Sequence, residues 1–278
     1  MLISDAHAHV SSLGLGGKVI GRKFKEVGGW FIALISLPPS SYGFELTYEG
    51  FIKSLNTHVN ECKHAAEEGL KVFCAAGIHP ASVDKLLKAY NVNKVLQILH
   101  DVLKYIVNLI ERGLINGLGE FGRPHYKAMP EAFIVNELLL EDVLKVVHDR
   151  NIPIHLHLEQ RGVITVESID RLVRKLNVKR DLVIFHHVSG ETAIEAIKRG
   201  YPVTVPAFSD AVKHLLSNNL YFMVESDYLD DPKRPGVVRY PWDIALLAQD
   251  LLKDGYSTDV LSKIFIENIV NVYGVTPV

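Results

Sequence analysis

The sequence is poor in cysteine. Two residues, Cys62 and Cys74, stand among 278, and they do not form a Cys-x-x-Cys pair. No disulfide framework is indicated, and the two are read as reduced thiols of a cytoplasmic protein. Long hydrophobic runs are also missing. No apolar stretch reaches 18 residues, so no membrane span is expected. The first residues lack the basic-then-apolar order of a signal peptide. Charge of one sign is not in excess either. The formal net charge is −2, so no global basic field draws the chain to nucleic acid, and only a local basic groove remains open. Low-complexity segments and an evident linker are absent as well. What is present is the profile of an ordinary globule, 48% hydrophobic and 22% charged, with an ample supply of 13 histidines.

Short apolar runs rich in β-branched residues recur between helical patterns. The strand candidates are 1–4, 30–36, 71–77, 115–119, 152–157, 182–186, 202–206 and 220–226. Continuous apolar strands of this kind suit a parallel sheet covered by helices. Helical periodicity marks 94–113, with Val95, Leu99, Val102, Ile106 and Leu109 on one stripe, and 130–151, 167–177, 189–200, 209–219, 241–253 and 257–274. Ser189 and Ser209 are the expected N-caps of their helices. Eight alternations in this length predict a single (β/α)₈ TIM-barrel domain over residues 1–278, with an open doubly wound sheet as the alternative. Two connections, 10–29 and 228–241, are rich in glycine or charge and leave the strand ends where barrels keep their sites. "GLGGKV" at 14–19 lacks the spacing and the hydroxyl residue of a phosphate loop and is expected to be a flexible active-site loop.

Ligand-type residues end most of these strands. In "SDAHAHV", Asp5, His7 and His9 alternate and so share one strand face. Three such groups are costly to bury unpaired, and a divalent cation satisfies them. Asp5 is alternatively a partner that orients one of the histidines. Strand 4 ends in Glu120 and strand 5 in "HLH", where His155 and His157 share a face and His155 lies about 6.6 Å deeper. His155 therefore reads as a partner behind the ligands or as a core residue. Strand 6 ends in His186 and His187, which alternation sends to opposite faces, so one of them enters the site. Strand 8 offers Glu225 and Asp227, and strand 3 places His79 before a proline. Any one of these has a bland explanation, but their convergence on one end of the barrel points to a metal centre. His58, His64, His100, His125, His148 and His214 fall in helices or loops and read as surface or packing residues, and Cys74 as strand packing.

Seven boxes occur in the order found in the TatD family of metal-dependent deoxyribonucleases, within the amidohydrolase superfamily, and the chain resembles a divergent, archaeal-type branch of it. They are Asp5-x-His7-x-His9, "GIHP" with His79, Gly119–Glu120, "PIHLH" ending in His157, "HHVSG" with His186, "ESD" ending in Asp227, and "NIVNVYG" from Asn268 to Gly274. The resemblance implies two divalent ions (Zn, Mn, Mg, Fe, Co or Ni). His7, His9, Glu120 and Asp227 would hold one, and Glu120, His157 and His186 the other, with Glu120 bridging. It implies hydrolysis of DNA or another phosphodiester by a metal-activated water, with Asp227 orienting or deprotonating that water and His79 stabilising charge on the phosphate oxygens.

The chain departs from the family where substrate phosphate would lie. Glu159 stands where the family usually carries arginine, with Arg161 beyond it, and "FGRP" introduces Arg123 and Pro124 after Gly119–Glu120. Arg123, Glu159, Arg161, Lys233 and Arg234 are thus the candidate substrate contacts. Lys233, Arg234 and Arg239 read equally as a solvated loop. Three functions follow: a phosphodiesterase or nuclease; a lactonase or amidase acting on a small C–O or C–N substrate; and a non-catalytic metal- or nucleic-acid-binding barrel. Near-neutral charge weighs against general nucleic-acid binding.

Overall fold

The computed structural model describes residues 1–234 and 238–277. Part of the 228–241 connection, residues 235–237, lies outside the described residues. Eight strands alternate with helices: β1 (Ile3–His9), α1 (Gly16–Glu26), β2 (Gly29–Ile35), α2 (Tyr48–Glu67), β3 (Lys71–Ala76), α3 (Pro80–Ala89), α4 (Val92–Glu111), β4 (Gly117–Gly122), α5 (Pro130–Arg150), β5 (Ile154–His157), α6 (Val163–Lys175), β6 (Val183–Phe185), α7 (Gly190–Lys198), β7 (Thr204–Pro206), α8 (Ser209–Ser217), β8 (Met223–Glu225), α9 (Ile244–Lys253), α10 (Thr258–Ser262) and α11 (Asn268–Tyr273).

Parallel pairing runs unbroken from β1 to β6 and again from β7 to β8. Backbone bonds close the circle. Phe185 donates to the Pro202 carbonyl at 3.0 Å and Val188 to Thr204 at 3.1 Å, joining β6 to β7; Asp227 donates to His7 at 3.0 Å and His9 to Tyr228 at 2.8 Å, joining β8 to β1. The sheet is a barrel of the TIM type, as the alternation predicts. β1 and β2 are buried along their whole length, which is why they read as apolar runs. The large core lies between sheet and helices. The α4 stripe of Val95, Leu99, Val102, Ile106 and Leu109 is buried in it. A smaller cluster, with Phe31, Phe73, Ile184 and Met223, fills the barrel interior near the strand starts, and α11 packs against it through Val270 and Tyr273. This interior cluster therefore occupies one half of the barrel and leaves the C-terminal strand ends to polar groups.

Three expectations need correction. The stretch 14–19 is not a flexible loop, because α1 begins at Gly16. Its first amides are held by carboxylates: Leu15 and Gly16 donate to Asp230 at 2.7 and 3.0 Å, and Gly17 to Glu61 at 2.7 Å. Gly17 lies so close to α2 that a Cβ would come within 1.9 Å of the Glu61 carbonyl oxygen. The glycines therefore serve helix packing rather than mobility. The serine caps also differ. Ser189 precedes α7 but makes no cap bond, its hydroxyl donating instead to Gln160 at 3.3 Å, and Ser209 is already inside α8.

The third correction concerns the thiols. Cys62 on α2 and Cys74 on β3 form a disulfide, with Cα atoms 5.9 Å apart. The turn after α2 brings β3 back against the helix, a proximity that a 12-residue spacing does not reveal. The expectation of reduced thiols fails, and with it the inference from thiols to a reducing compartment. Among the described residues, no helix is long and apolar enough to cross a membrane.

Candidate metal centre

The C-terminal strand ends bring the expected ligand types together around one carboxylate. Glu120, at the tip of β4, is buried. Its Oε1 lies 2.9 Å from His186 Nε2, 3.3 Å from His7 Nε2 and 3.5 Å from His157 Nδ1. Its Oε2 lies 3.6 Å from His79 Nε2. The chain can come this close because residue 77 is glycine: a Cβ there would stand 2.5 Å from the Gly119 carbonyl carbon and 2.7 Å from the Glu120 nitrogen. His9 Nε2 is 3.4 Å from His7 Nε2 and 3.7 Å from Asp227 Oδ1. His186 Nε2 is 3.8 Å from the same Asp227 oxygen.

Hydrogen bonds decide which nitrogen each ring presents. His9 donates Nδ1–H to the Ile35 carbonyl at 3.0 Å, so its Nε2 turns a lone pair to the site. His186 Nδ1 meets Glu225 Oε2 at 2.8 Å, the carboxylate–imidazole pairing that favours ligation through Nε2. His79 is different. Its Nδ1 accepts from the Ala81 amide at 3.0 Å, capping α3, so its Nε2 carries the proton and faces Glu120 as a donor.

Burial and charge sort the titrations. Burial would push Glu120 up, but the facing His186 and His157 hold it well below the carboxylate range. Burial holds His7 down at about 4 and His79 at about 3, so both rings are neutral. His186 goes the other way: against burial, Glu225 and Glu120 hold it well above its ordinary value. Asp227 is held low against burial by His187 and His9.

The donor set fits a divalent cation. Imidazole nitrogens of His7, His79, His157 and His186 converge on the buried Glu120 carboxylate, with His9 and His187 beside Asp227, a nitrogen–oxygen set that suits divalent metals. Overlapping groups of ligand atoms are His7–Glu120–His186, His7–His9–Asp227, His79–Glu120–His157 and His186–His187–Asp227. The expected set of His7, His9, Glu120 and Asp227 is spread over two groups that share His7. The expected set of Glu120, His157 and His186 is spread over two groups that share Glu120.

Other expected residues fall as follows. His155 stands behind His7, its Nδ1 3.0 Å from His7 Nδ1. Asp5 touches no imidazole. It accepts from the Ser226 hydroxyl at 2.5 Å and from the Ser226 and His7 amides at 2.9 and 3.2 Å, tying β1 to the end of β8, and burial lifts it to about 7. Sequence periodicity placed it on the ligand face, but the backbone amides beside it claim its oxygens.

Arg123 also departs from expectation. It binds Glu159 at 2.6 and 3.0 Å, Glu137 at 2.9 Å and Ser168 at 2.9 Å, with 12% of its side chain exposed. Four of its N–H groups are engaged in these bonds, and Glu159 is neutralised by the same pair. Arg161, Lys233 and Arg234 do line the open cavity over the site, of about 1370 Å³, together with Lys85 and Lys127. Arg234 is paired with Asp231 at 2.8 Å, and Arg239 lies over the Phe208 ring.

Sequence reading left the roles of three groups unassigned. His187 also reaches the site, 2.9 Å from Asp227 Oδ2. β6 ends at Phe185 and His187 adopts a left-handed φ of 54°, so strand alternation no longer governs it. His125 sits on the loop after β4, its Nδ1 2.6 Å from His157 Nε2, and no periodicity signals that. Glu225 was visible in the "ESD" box, but not its pairing with His186.

Known proteins share this chain's family motifs and fold. The family model for TatD related DNases matches residues 4–274. An uncharacterized protein of Methanocaldococcus jannaschii is 24% identical over 274 residues, covering 98% of this chain and 95% of its own. The crystal structure of a TatD-like protein from Archaeoglobus fulgidus superposes with a TM-score of 0.67 at 17% identity, covering 98% of this chain and all of the other. That of a TatD homologue from Escherichia coli gives 0.61 at 16%, covering 97% and 98%. With its boxes in family order and nearly its whole length matched, the chain belongs to the TatD family, a hydrolase family of the metal-dependent superfamily.

Proposed function

We propose that the protein hydrolyses phosphodiesters, with DNA ends as the favoured substrate. His7, His9, Glu120, His157, His186 and Asp227 would hold a pair of divalent cations, with Glu120 between them. When bound, such ions supply Lewis acidity, favouring deprotonation of a water near neutral pH and offsetting charge on the phosphate. Glu225 orients His186, and His187 beside Asp227 keeps that carboxylate ionised and able to orient the attacking water and take its proton. His79, neutral with its proton on Nε2, donates to a non-bridging phosphate oxygen as charge develops there. Arg161, Lys233, Lys85 and Lys127 line the cavity with positive charge for an anionic substrate.

The observation that carries this reading is the buried Glu120 met by four imidazoles beneath a cavity lined by cations. A second reading, hydrolysis of a small ester, lactone or amide, is favoured by the Arg123–Glu159 pair, which removes one cation from the substrate side. The test is direct. Protein purified without chelator should carry divalent ions and shorten labelled single-stranded DNA with Mg²⁺ or Mn²⁺, and should stop with chelator. Intact DNA alongside turnover of a lactone or amide panel transfers the assignment to the second reading. A folded protein that takes up no ion defeats both.

A further inference from the structure

Behind His7 lies a buried run of hydrogen bonds that the reading above does not use. His7 Nδ1 meets His155 Nδ1 at 3.0 Å, His155 Nε2 meets Tyr273 Oη at 3.0 Å, and Tyr273 Oη meets the Ala6 carbonyl oxygen at 3.4 Å. His7 and His155 have no solvent exposure. Tyr273 is wedged against Phe31 and Phe73, with ring centroids 4.8 and 4.6 Å apart. Position 155 faces the barrel interior, where a leucine would satisfy packing. An imidazole there desolvates two polar nitrogens, and that cost is offset only because each has a partner.

The chain of bonds has a direction. The Ala6 oxygen can only accept, so Tyr273 gives its one proton to it. The Tyr273 oxygen is then free to accept from His155 Nε2–H. His155 Nδ1 is therefore bare and accepts from His7 Nδ1–H. His7 is left with its Nε2 lone pair pointing at Glu120 and His9, the tautomer that ligation requires. In the opposite polarity, Tyr273 donates to His155 and leaves the Ala6 oxygen. His155 then donates to His7, and His7 Nε2 carries a proton toward Glu120, which excludes a cation.

We propose that His155 and Tyr273 are positioning residues that select the metal-ready tautomer of His7, so that cation affinity depends on two side chains that touch neither cation nor substrate. The inference rests on His7 being a ligand, and the experiment separates the two claims. Wild type, His155→Leu, His155→Gln and Tyr273→Phe, all stripped of metal, are titrated with Mn²⁺ by calorimetry. Nitrogen-15 spectra of zinc-loaded protein report the histidine tautomers.

His155→Leu should lose about 10–100-fold in Mn²⁺ affinity. His155→Gln, which can present a carbonyl oxygen to His7 Nδ1–H, should recover most of that loss. Tyr273→Phe keeps the ring packing and should show an intermediate loss. The spectra should place the proton on Nδ1 in His7 and on Nε2 in His155. Affinity in a folded His155→Leu within twofold of wild type, or the reverse protonation pattern, overturns the relay while leaving His7 a ligand. Wild type that takes up no Mn²⁺ overturns the parent reading, and the relay with it.

Discussion

Two clusters in this molecule bury histidines, and they behave in opposite ways. At the barrel mouth, six imidazoles converge on Glu120 and Asp227 beneath an open cavity. Between α2 and β3, His58 is equally buried, but its Nδ1 meets the Tyr42 hydroxyl at 3.2 Å and its Nε2 lies 3.4 Å from Cys62 Sγ. That sulfur is already bonded to Cys74, so His58, Cys62 and Cys74, although close enough to share an ion, have no thiolate to offer. Burial of histidine therefore does not by itself mark chemistry. What separates the clusters is surroundings: at the mouth, imidazole nitrogens and carboxylate oxygens converge beneath an open cavity, whereas behind β3 the sulfur and both imidazole nitrogens are spent on structure.

Several measurements would break or sharpen that contrast. The largest effect belongs to Glu120→Gln. Removing the shared carboxylate should cut kcat/KM by about a thousandfold, some 4 kcal/mol of barrier, and lower metal content while leaving the melting curve close to wild type. Retained activity would show that the mouth cluster is not the reactive one. Next comes Cys62→Ala. Opening the disulfide loop should cost about 3 kcal/mol in urea unfolding with kcat unchanged. A loss of activity without a loss of stability would turn the structural cluster into a functional one.

A smaller effect follows from pH. Burial depresses His58 to about 3, below its unfolded value, so the stability it contributes is complete above about pH 6.5 and is lost as pH falls toward 3. Between pH 7 and pH 5, wild type should lose about 2 kcal/mol more than His58→Phe does. Parallel pH profiles in urea melts would refute that sign. The smallest effect is expected for Arg123→Met. It should destabilise by about 1 kcal/mol through the released Glu159 and Glu137, with kcat/KM on a phosphodiester unchanged. A tenfold rise in KM there would return Arg123 to the substrate.

Much of the fold and the site was legible because it rests on short-range periodicity. β1 and β5 place His7 and His9, and His155 and His157, on single faces, and alternation with helices predicts a barrel whose strand ends converge. Legibility stopped where the backbone left regular geometry or where a side chain could be claimed by a distant group. His187 escaped because its left-handed turn breaks strand alternation, and His125 because it is carried by an irregular loop. Arg123 was assigned to substrate because nothing local shows Glu137 and Glu159 closing on it. Asp230 gave no hint that it would hold the first amides of α1 from more than two hundred residues away.

The sequence by itself determined that polar ligand residues would end successive strands of a closed parallel barrel, because the two-residue strand period and the helical period are properties of the local chain. Only the tertiary structure decided which nitrogen each imidazole presents, which cations remain free for a substrate, and that two lone cysteines would meet. Each of these depends on partners brought together across the barrel, and hydrogen bonds and ion pairs act over a few ångströms of space, whatever the distance along the chain.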